Sequence, residues 1–573
     1  MEKKNDRKPF EKNFAEKKFG SKSFDGKPAE GKKGGKNFEK KPFGEKKFDK
    51  KPYGDKKFEG KRNFDKPAEK KEEGGKKFEK KPFERKPFGE KKAFENKPFV
   101  KKDFERKPFD KKSSDRKPAE TNPAKAAQTD ARRVALNALI DVNRFDAYSS
   151  LALDKRLRES RLSSDDRRLA TSIFYAAVEN RLNIEYVLSS FLNTKPDQIV
   201  EDILHIACAQ ILFLDRIPAH AAVDEAVKMT RAFKKDEASG FVNGVLRNLL
   251  RAIESDGIKY PDTEEEPVKY LSIKYSVPEV ILNKLIEAYG FETAAEIVSY
   301  RPAERVETIR PNLLKMDNAE FENYLNRRGW EWRKGTVPGA YLISHAGNLA
   351  GDPDFFDGVF SVQGESSMLS ARAVQAKPGM TVVDACAAPG GKSALMCEMM
   401  RGTGRVHAWD VHEHRVDLIK AVGKRLKLDN LRPAVRDASV NKEDLNGAID
   451  AVLIDAPCSG VGVMTDKPDL KYRVSEESIK SLVETQKKIL RACAPYVKRG
   501  GVLVYSTCSI LPEENEKQIE AFLMDHPEFK RDDKGEWVPE GLKERLNGGM
   551  LSLLPVRDGV EGFFIARLRR VDV

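Results

Sequence analysis

The sequence predicts a doubly wound α/β domain preceded by an all-α domain and a disordered N-terminal tail. From Thr381 onward, apolar runs of strand length alternate with amphipathic helices, which is the pattern of a parallel sheet covered on both faces. Residues 130–251 show helical periodicity alone. Residues 1–125 contain no Leu, Ile or Trp, so they lack the aliphatic side chains that build a core.

The tail, residues 1–125, repeats a short basic unit, for example Lys41-Pro42-Phe43-Gly44-Glu45-Lys46-Lys47-Phe48. Residues 1–120 hold 42 basic and 24 acidic side chains, a net charge of +18, whereas the whole chain carries +14. Lysine beside phenylalanine suits phosphate neutralisation and stacking on unpaired bases. Association with RNA is therefore one interpretation of the tail, and a solvated spacer is the other.

Composition argues against several classes of protein. The six cysteines form no C-x-x-C pair, which favours a reducing cytoplasm over a disulfide framework. The Lys/Glu-rich start lacks the apolar region of a signal peptide. No run of about 18 apolar residues predicts a membrane helix. His412 and His414 have no third ligand nearby, so no metal site is expected.

The all-α domain is predicted to span residues 129–255. Thr129 or Asp130 can cap its first helix. Further helices are predicted at Asp166–Glu179, Ile184–Leu192, Ile199–Leu214, Ala221–Phe233 and Phe241–Ile253. A polar linker, Ile258–Pro267, then leads to a mixed α/β connecting domain at residues 268–355.

The α/β domain is predicted at residues 356–573. Its strands are Thr381–Ala385, Arg405–Asp410, Arg432–Val435, Ala451–Asp455 and Gly501–Ser506, and its helices are Ser393–Met400, His414–Lys424, Ser478–Tyr496 and Asn515–Met524. In such a sheet, ligands bind at the carboxyl ends of the strands. A last strand, Gly562–Ala566, runs into Arg567-Leu568-Arg569-Arg570, which is predicted either to face RNA or to lie at a solvated edge.

A glycine-rich turn after the first of these strands is the candidate cofactor site. The run Asp384-Ala385-Cys386-Ala387-Ala388-Pro389-Gly390-Gly391-Lys392 opens a helix, and its small residues let the backbone approach a ligand closely. The next strand ends in Asp410, where an acid can accept hydrogen bonds from ribose hydroxyls. A tight turn with a helix-capping aspartate is the purely structural alternative.

Two cysteines follow adjacent strands of the predicted sheet. Cys458 lies in Asp455-Ala456-Pro457-Cys458-Ser459-Gly460-Val461-Gly462, and Cys508 lies in Tyr505-Ser506-Thr507-Cys508-Ser509-Ile510. Polar residues, Pro and Gly surround both thiols, whereas Cys208, Cys397 and Cys493 lie in helical patterns that are typical of a core. Cys458 and Cys508 are therefore expected to face the crevice at the end of the sheet.

These motifs resemble those of bacterial RNA cytosine-5 methyltransferases of the Sun/Fmu (RsmB) type and of the related NOP2/NSUN group. The helical part resembles the NusB-like RNA-binding domain of the same family, and the resemblance covers residues 130–573. It implies a Rossmann-like class I methyltransferase domain, S-adenosyl-L-methionine as cofactor and 16S ribosomal RNA as substrate. We expect a cytoplasmic monomer with no membrane or metal partner.

The resemblance also implies roles for individual residues. Cys508 would be the nucleophile that adds to carbon 6 of cytosine, Cys458 would assist release of the product, and Asp455 would serve as the carboxyl near the ring nitrogen. The implied cofactor contacts are Cys386, Ala387, Ala388, Pro389, Gly390, Gly391, Lys392, Asp410, Asp437 and Asp455. Lys467-Pro468-Asp469 departs from the Arg-Arg-His-Pro-Asp that relatives often carry.

Three other functions stay open at this point. The same chemistry can act on transfer RNA or 23S ribosomal RNA. A catalytically silent RNA-binding factor is disfavoured by the intact Cys508, Cys458 and Asp455. DNA methylation is disfavoured because DNA cytosine-5 enzymes place the nucleophile in the Pro-Cys motif, whereas this chain has a second cysteine at Cys508.

Overall fold

The structure is a computed structural model that describes residues 130–572, apart from Ala303, Arg305 and Ala346. The predicted tail lies outside the described residues. Along the described part of the chain, no helix combines the length and apolar character that crossing a membrane requires.

The N-terminal part of the described chain is a helical bundle with a large apolar core and a smaller cluster around Val134 and Leu162. Asp130 accepts hydrogen bonds from the backbone N–H groups of Arg132 and Arg133, so the first helix begins where its cap predicts. The core includes Leu136, Phe174 and Ile203. The helices are α1 (Ala131–Phe145), α2 (Ser149–Glu159), α3 (Ser164–Glu179), α4 (Arg181–Ser189), α5 (Gln198–Phe213), α6 (Ala219–Ala232) and α7 (Ser239–Glu254).

Three helices and a small antiparallel sheet connect this bundle to the rest. The helices are α8 (Pro267–Tyr275), α9 (Glu279–Tyr289) and α10 (Phe291–Ser299), and the strand order is β2-β3-β1-β4. The elements are β1 (Val306–Pro311), α11 (Asn318–Arg328), β2 (Glu331–Lys334), β3 (Tyr341–Ser344), α12 (Pro353–Phe356) and β4 (Phe360–Val362). Strand β4 therefore lies beyond residue 356, where the sequence placed the start of the last domain.

The large sheet has nine strands in the order β11-β12-β13-β9-β8-β5-β6-β7, with β10 paired to β13. The five predicted strands are parallel, as expected: β5 (Thr381–Asp384), β6 (Arg405–Asp410), β7 (Leu431–Val435), β8 (Ile449–Asp455) and β9 (Val497–Thr507). Because β5 lies between β6 and β8, the chain reverses direction across the sheet there, and a crevice opens at the strands' carboxyl ends.

The rest of the sheet is antiparallel, so the sheet is mixed rather than purely parallel. These strands are β10 (Phe529–Arg531), β11 (Leu546–Asn547), β12 (Met550–Leu553) and β13 (Phe563–Arg570). A turn through Gly548 and Gly549, both with positive φ, joins β11 to β12, so no crossover helix is needed. The helices of this part are α13 (Glu365–Ala373), α14 (Gly391–Met399), α15 (Glu413–Leu426), α16 (Glu476–Cys493), α17 (Glu516–Asp525) and α18 (Pro555–Asp558).

The basic run at the end of β13 corrects one prediction. Arg567 is buried, pairs with Asp532 and donates a hydrogen bond to the carbonyl of Ala373 over 2.7 Å. Burial lowers the pKa of Arg567 to about 10. Arg567 therefore neither faces RNA nor lies at a solvated edge, because a buried aspartate and a buried carbonyl hold it inside the fold.

A buried ion pair joins the small sheet to the large one. Nη1 of Arg310, on β1, lies 2.6 Å from Oε2 of Glu398, on α14, and both side chains are almost fully buried. Nε of Arg310 also donates to Gln363 over 2.7 Å, and the backbone N–H of Leu313 donates to Glu398 over 3.0 Å. Removing either charge leaves the other buried without its counter-ion.

A second connection, which we call the strap, consists of residues 469–473 and fastens the large domain to the helical bundle. The hydroxyl of Ser149 donates to Asp469 over 2.6 Å, and Nζ of Lys471 donates to the carbonyl of Glu179 over 2.8 Å. Nη2 of Arg473 donates to the carbonyl of Ala147 over 3.1 Å. The strap belongs to the same loop as Cys458, so this loop contacts the bundle directly.

We predict that Arg310→Ala destabilises the protein by about 3–5 kcal/mol, because it strands the charge of Glu398 in the interior. The free energy of unfolding in urea measures this loss. Arg333→Ala is the matched control, since Arg333 is exposed on the neighbouring strand β2. Equal stabilities of the two variants would contradict the prediction.

Candidate active site

The register of β8 and β9 brings the two predicted thiols together. Asp455 lies opposite Ser506 in this parallel pair, and each strand ends shortly before a cysteine. The Sγ atoms of Cys458 and Cys508 are 3.2 Å apart, within hydrogen-bonding distance for sulfur. The sequence predicted that both thiols face one crevice, and the geometry agrees.

A close backbone approach holds the Cys458 loop in place. The N–H of Gly462 donates to the carbonyl of Cys508 over 3.0 Å, and the N–H of Gly562 donates to the carbonyl of Gly462 over 3.0 Å. A Cβ on Gly462 would lie 2.2 Å from the carbonyl oxygen of Gly562 and 2.9 Å from that of Cys508. Only glycine fits there, so the second glycine of the motif has a steric reason.

Different charges surround the two thiols. The S–H of Cys458 lowers the pKa of Cys508 by hydrogen bonding, and Lys467 and Lys392 lower it further, against burial and the charge of Asp455. The same hydrogen bond and burial raise the pKa of Cys458 well above that of an ordinary thiol, and the charges of Cys508 and Glu514 add to this rise. Cys508 is therefore the better thiolate and Cys458 the proton donor.

Both oxygens of Asp455 have fixed partners. Nζ of Lys392 donates to Oδ2 over 2.7 Å, and the hydroxyl of Ser506 donates to Oδ1 over 2.8 Å. The hydroxyl of Ser370, on α13, in turn donates to that of Ser506 over 2.7 Å. Burial would lower the pKa of Lys392, but the charge and hydrogen bond of Asp455 outweigh it and raise this pKa. Lys392, predicted as a cofactor contact, thus also lies beside the candidate catalytic groups.

The turn after β5 forms the floor of the crevice. Gly390 has a φ of +112°, and a Cβ there would lie 3.3 Å from the backbone of Ile419. Asp384 is fully buried: Oδ2 accepts from Ser393 over 2.6 Å, but Oδ1 has no partner among the described residues. Burial raises the pKa of Asp384 to about 7. An unpaired buried acceptor beside a glycine turn fits a ligand that carries a cationic amino group.

The remaining predicted contacts lie at the ends of the next two strands. Asp410 ends β6 and is buried; it accepts from the N–H of His412 over 3.1 Å and lies 3.4 Å from Arg415. Asp437 follows β7, is exposed, and accepts from the backbone and hydroxyl of Ser439. The side chain of Cys386 is only partly exposed. Its burial raises the pKa of the thiol well above that of an ordinary thiol.

A cavity of about 710 Å³ lies beside this site, between the helical bundle, the small sheet and the large domain. Met464 and Thr465, from the Cys458 loop, form part of its wall, together with Arg301, Tyr175 and Lys471. Burial lowers the pKa of Lys471 to about 7. The thiols do not line the cavity, so the chemistry is assigned to the crevice.

Sequence reasoning missed three groups that shape the crevice. Asp384 was treated only as the start of its motif, Ser370 carries no motif, and Glu514 was given no role, since it precedes the predicted helix Asn515–Met524. A polar residue in the predicted apolar run of β5 was the available signal for Asp384. For Ser370 and Glu514 the sequence holds no such signal, because their contacts span 136 and 55 residues of chain.

Comparisons with known proteins agree with this architecture. The family model described as 16S rRNA methyltransferase RsmB/F matches residues 371–569, and that of the NusB family matches residues 129–251. The chain is 39% identical to the probable ribosomal RNA small subunit methyltransferase B of Bacillus subtilis, over 77% of this chain and 99% of that protein. For the protein of the same description from Synechocystis the identity is 32%, over 77% and 99%.

One solved structure matches over most of both chains. The crystal structure of PH0851 superposes with a TM-score of 0.66 and 28% identity, covering 77% of this chain and 98% of that one. The similarity therefore extends across the helical and α/β parts together.

We predict that Lys392→Met raises the pH midpoint for alkylation of Cys508 by roughly one unit, because it removes a positive charge beside the thiolate. In the unaltered protein this midpoint lies below that of an ordinary cysteine, since the hydrogen bond from Cys458 lowers the pKa of Cys508; the thiolate therefore persists to lower pH. Peptide mass spectrometry after iodoacetamide treatment measures the rate. Lys420→Met, which removes an exposed lysine, is the control; identical midpoints for both variants would count against the assignment.

Proposed function

The chain belongs to the 16S rRNA methyltransferase RsmB/F family, and we propose that it methylates carbon 5 of a cytosine in 16S ribosomal RNA through a covalent adduct with Cys508. It is an S-adenosylmethionine-dependent ribosomal RNA methyltransferase. The observation that supports the finer proposal is the thiol pair, in which the Sγ atoms of Cys508 and Cys458 lie 3.2 Å apart. The NusB-family match supports an RNA substrate.

The chemistry of cytosine explains why a thiol is needed. Carbon 5 is a poor nucleophile until a nucleophile adds at carbon 6 and makes it enamine-like. In the proposed step, the thiolate of Cys508 forms a sulfur–carbon bond at carbon 6, and the ring nitrogen takes up a proton. As carbon 5 takes up the methyl group, the ring nitrogen gives back its proton. The proton on carbon 5 is then lost to solvent and the sulfur–carbon bond breaks, which releases the Cys508 thiolate and restores the aromatic ring.

Two features of the crevice fit the cofactor: the unpaired acceptor Oδ1 of Asp384 and the glycine turn after β5. Asp384 suits the cationic amino group, residues 386–392 the backbone approach, and Asp410 the ribose hydroxyls, with Asp437 at the outer end. When bound, S-adenosylmethionine supplies an electrophilic methyl group. The protein's part is to orient the base and to exclude water from the thiols.

The Lys392–Asp455 contact is the proposed proton source for the ring nitrogen. Nζ of Lys392 donates a hydrogen bond to Oδ2 of Asp455 over 2.7 Å, and Ser506 fixes the other carboxylate oxygen. Because Lys392 and Ser506 each bind one oxygen of Asp455, this carboxyl group cannot rotate away from an incoming cytosine. The proton is therefore delivered in one direction. Bisulfite sequencing of 16S ribosomal RNA from cells with and without this protein tests the proposed position.

We expect Cys508→Ala to abolish methyl transfer while cofactor binding is kept, because Cys508 serves the base and the crevice floor is untouched. Methyl transfer is measured with labelled cofactor, and binding by calorimetry. Cys208→Ala, which removes a buried thiol in the helical bundle, is expected to keep activity. Turnover by Cys508→Ala would refute the nucleophile assignment.

We expect Cys458→Ala to accumulate a covalent protein–RNA adduct that is visible on a denaturing gel. Loss of the Cys458 S–H removes the group assigned to product release, so elimination falls behind addition. The double variant Cys458→Ala/Cys508→Ala is the control and should give no shifted band. A Cys458→Ala protein that turns over as fast as the unaltered enzyme, without an adduct, would rule out this role.

A further inference from the structure

A buried carboxylate lies behind the two thiols, and the mechanism above does not use it. Glu514 ends the 3₁₀ turn Pro512–Glu514 and is fully buried. Oε1 accepts from the N–H of Ser459 over 2.9 Å and from Nε2 of Gln486 over 3.0 Å. Oε2 accepts from the hydroxyl of Ser459 over 2.5 Å. All three of these donors are neutral.

This carboxylate reaches both cysteine loops. Ser459 follows Cys458 directly, and its hydroxyl lies 3.1 Å from that of Ser509, which follows Cys508. Gln486 also donates to the carbonyl of Pro457 over 2.9 Å, so the residues on either side of Cys458 are held. Among the described residues no cation pairs with Glu514; nearby Lys284 pairs with Glu513 instead, over 2.8 Å.

We propose that Glu514 is a positioning residue that sets the geometry of the thiol pair and, through its uncompensated buried charge, keeps the shared proton on Cys458 rather than on Cys508. A buried negative charge acts over a longer range than an exposed one because little water screens it. Since Glu514 holds the loop of Cys458 directly and reaches that of Cys508 only through a serine pair, it disfavours a thiolate at Cys458 more strongly.

The positive charges of Lys392 and Lys467 favour the same arrangement of the thiol pair, with the thiolate on Cys508. The titratable groups that face the thiols are Lys392, Asp455, Lys467, Tyr505 and Glu514. Lys392 and Lys467 favour the thiolate of Cys508, and the charge of Glu514 raises the pKa of Cys458. Two chemically identical side chains thereby become a nucleophile and a proton donor.

The test compares alkylation of the two thiols in the protein without RNA or cofactor. Limiting iodoacetamide at neutral pH is followed by peptide mass spectrometry, which gives the ratio of label on Cys508 to label on Cys458. Glu514→Gln keeps the shape: its amide oxygen can accept from Ser459 N–H and Gln486, and its NH₂ can donate to the Ser459 hydroxyl after that hydroxyl turns. The variant therefore removes the charge while it keeps the network.

In the unaltered protein we expect label chiefly on Cys508. In Glu514→Gln we expect the Cys508-to-Cys458 ratio to fall by roughly tenfold, the change that one pKa unit of differential interaction produces. Glu513→Gln is the matched control, because it removes the same charge from the same turn, and its ratio should stay at the unaltered value. An unchanged ratio in a folded Glu514→Gln protein overturns the proposal.

If the Glu514→Gln protein fails to fold, a second measurement on the unaltered protein still tests the proposal. Near-equal labelling of Cys458 and Cys508 in the unaltered protein at neutral pH overturns the proposal without any variant. The inference rests on the proposed nucleophile, but its readout needs no methyl transfer. If Glu514→Gln leaves the labelling ratio unchanged while the unaltered protein methylates RNA, only the role of Glu514 is refuted. If Glu514→Gln changes the ratio but the unaltered protein does not methylate RNA, only the proposed function is refuted.

Discussion

Asp455 lies opposite Ser506 in the parallel pair of β8 and β9, and the geometry of the whole site depends on this register. The N–H of Ala456 continues the pairing to the carbonyl of Ser506 over 2.8 Å, so both loops leave the sheet at the same level. A slip of one residue would turn every side chain of β8 to the opposite face. It would also separate the two thiols and break the contact between Asp455 and Ser506.

Burial gives the charges near this register their influence. Lys392, Asp455 and Glu514 lie where solvent screens them weakly, so each shifts the balance of protonation at a neighbouring thiol. Hydrogen bonds from Ser506, Ser459 and Gln486 offset the unfavourable free energy of desolvating these groups. The polar network thus stabilises charges that an apolar crevice would have neutralised.

The sequence allowed the parallel strands and the thiols to be predicted, because both depend on local patterns. Strands β5, β6 and β8 are largely apolar runs that each end in an aspartate, and each thiol lies in a motif that follows a parallel strand. Strand β2 was missed because Glu331–Lys334 is mostly polar and exposed, and it forms by pairing with β3. Strands β10 to β12 were missed because they are two to four residues long and form only by pairing: β10 and β12 pair with β13, and β11 pairs with β12.

Arg567 and Glu514 show the same limit at the level of single side chains. A basic run at a chain end favours a surface, yet Asp532, 35 residues away, draws Arg567 inward. Glu514 lies just before a predicted helix and carries no motif, yet Ser459 and Gln486 hydrogen-bond to its carboxylate inside the fold. Neither partner can be identified until the strands are placed in space, so these roles follow from tertiary structure rather than from composition.

The strap limits how far the helical bundle and the large domain can be exchanged independently of each other. Asp469 and Lys471 are buried only because the helical bundle covers them, and their partners are Ser149 and a backbone carbonyl of α3. A chimera that carried the bundle of one relative and the large domain of another would leave an acid and an amine in the seam without donors or acceptors of the right shape. The helical bundle and the Cys458 loop would therefore have to be exchanged together in such a chimera, because their contact residues form one set.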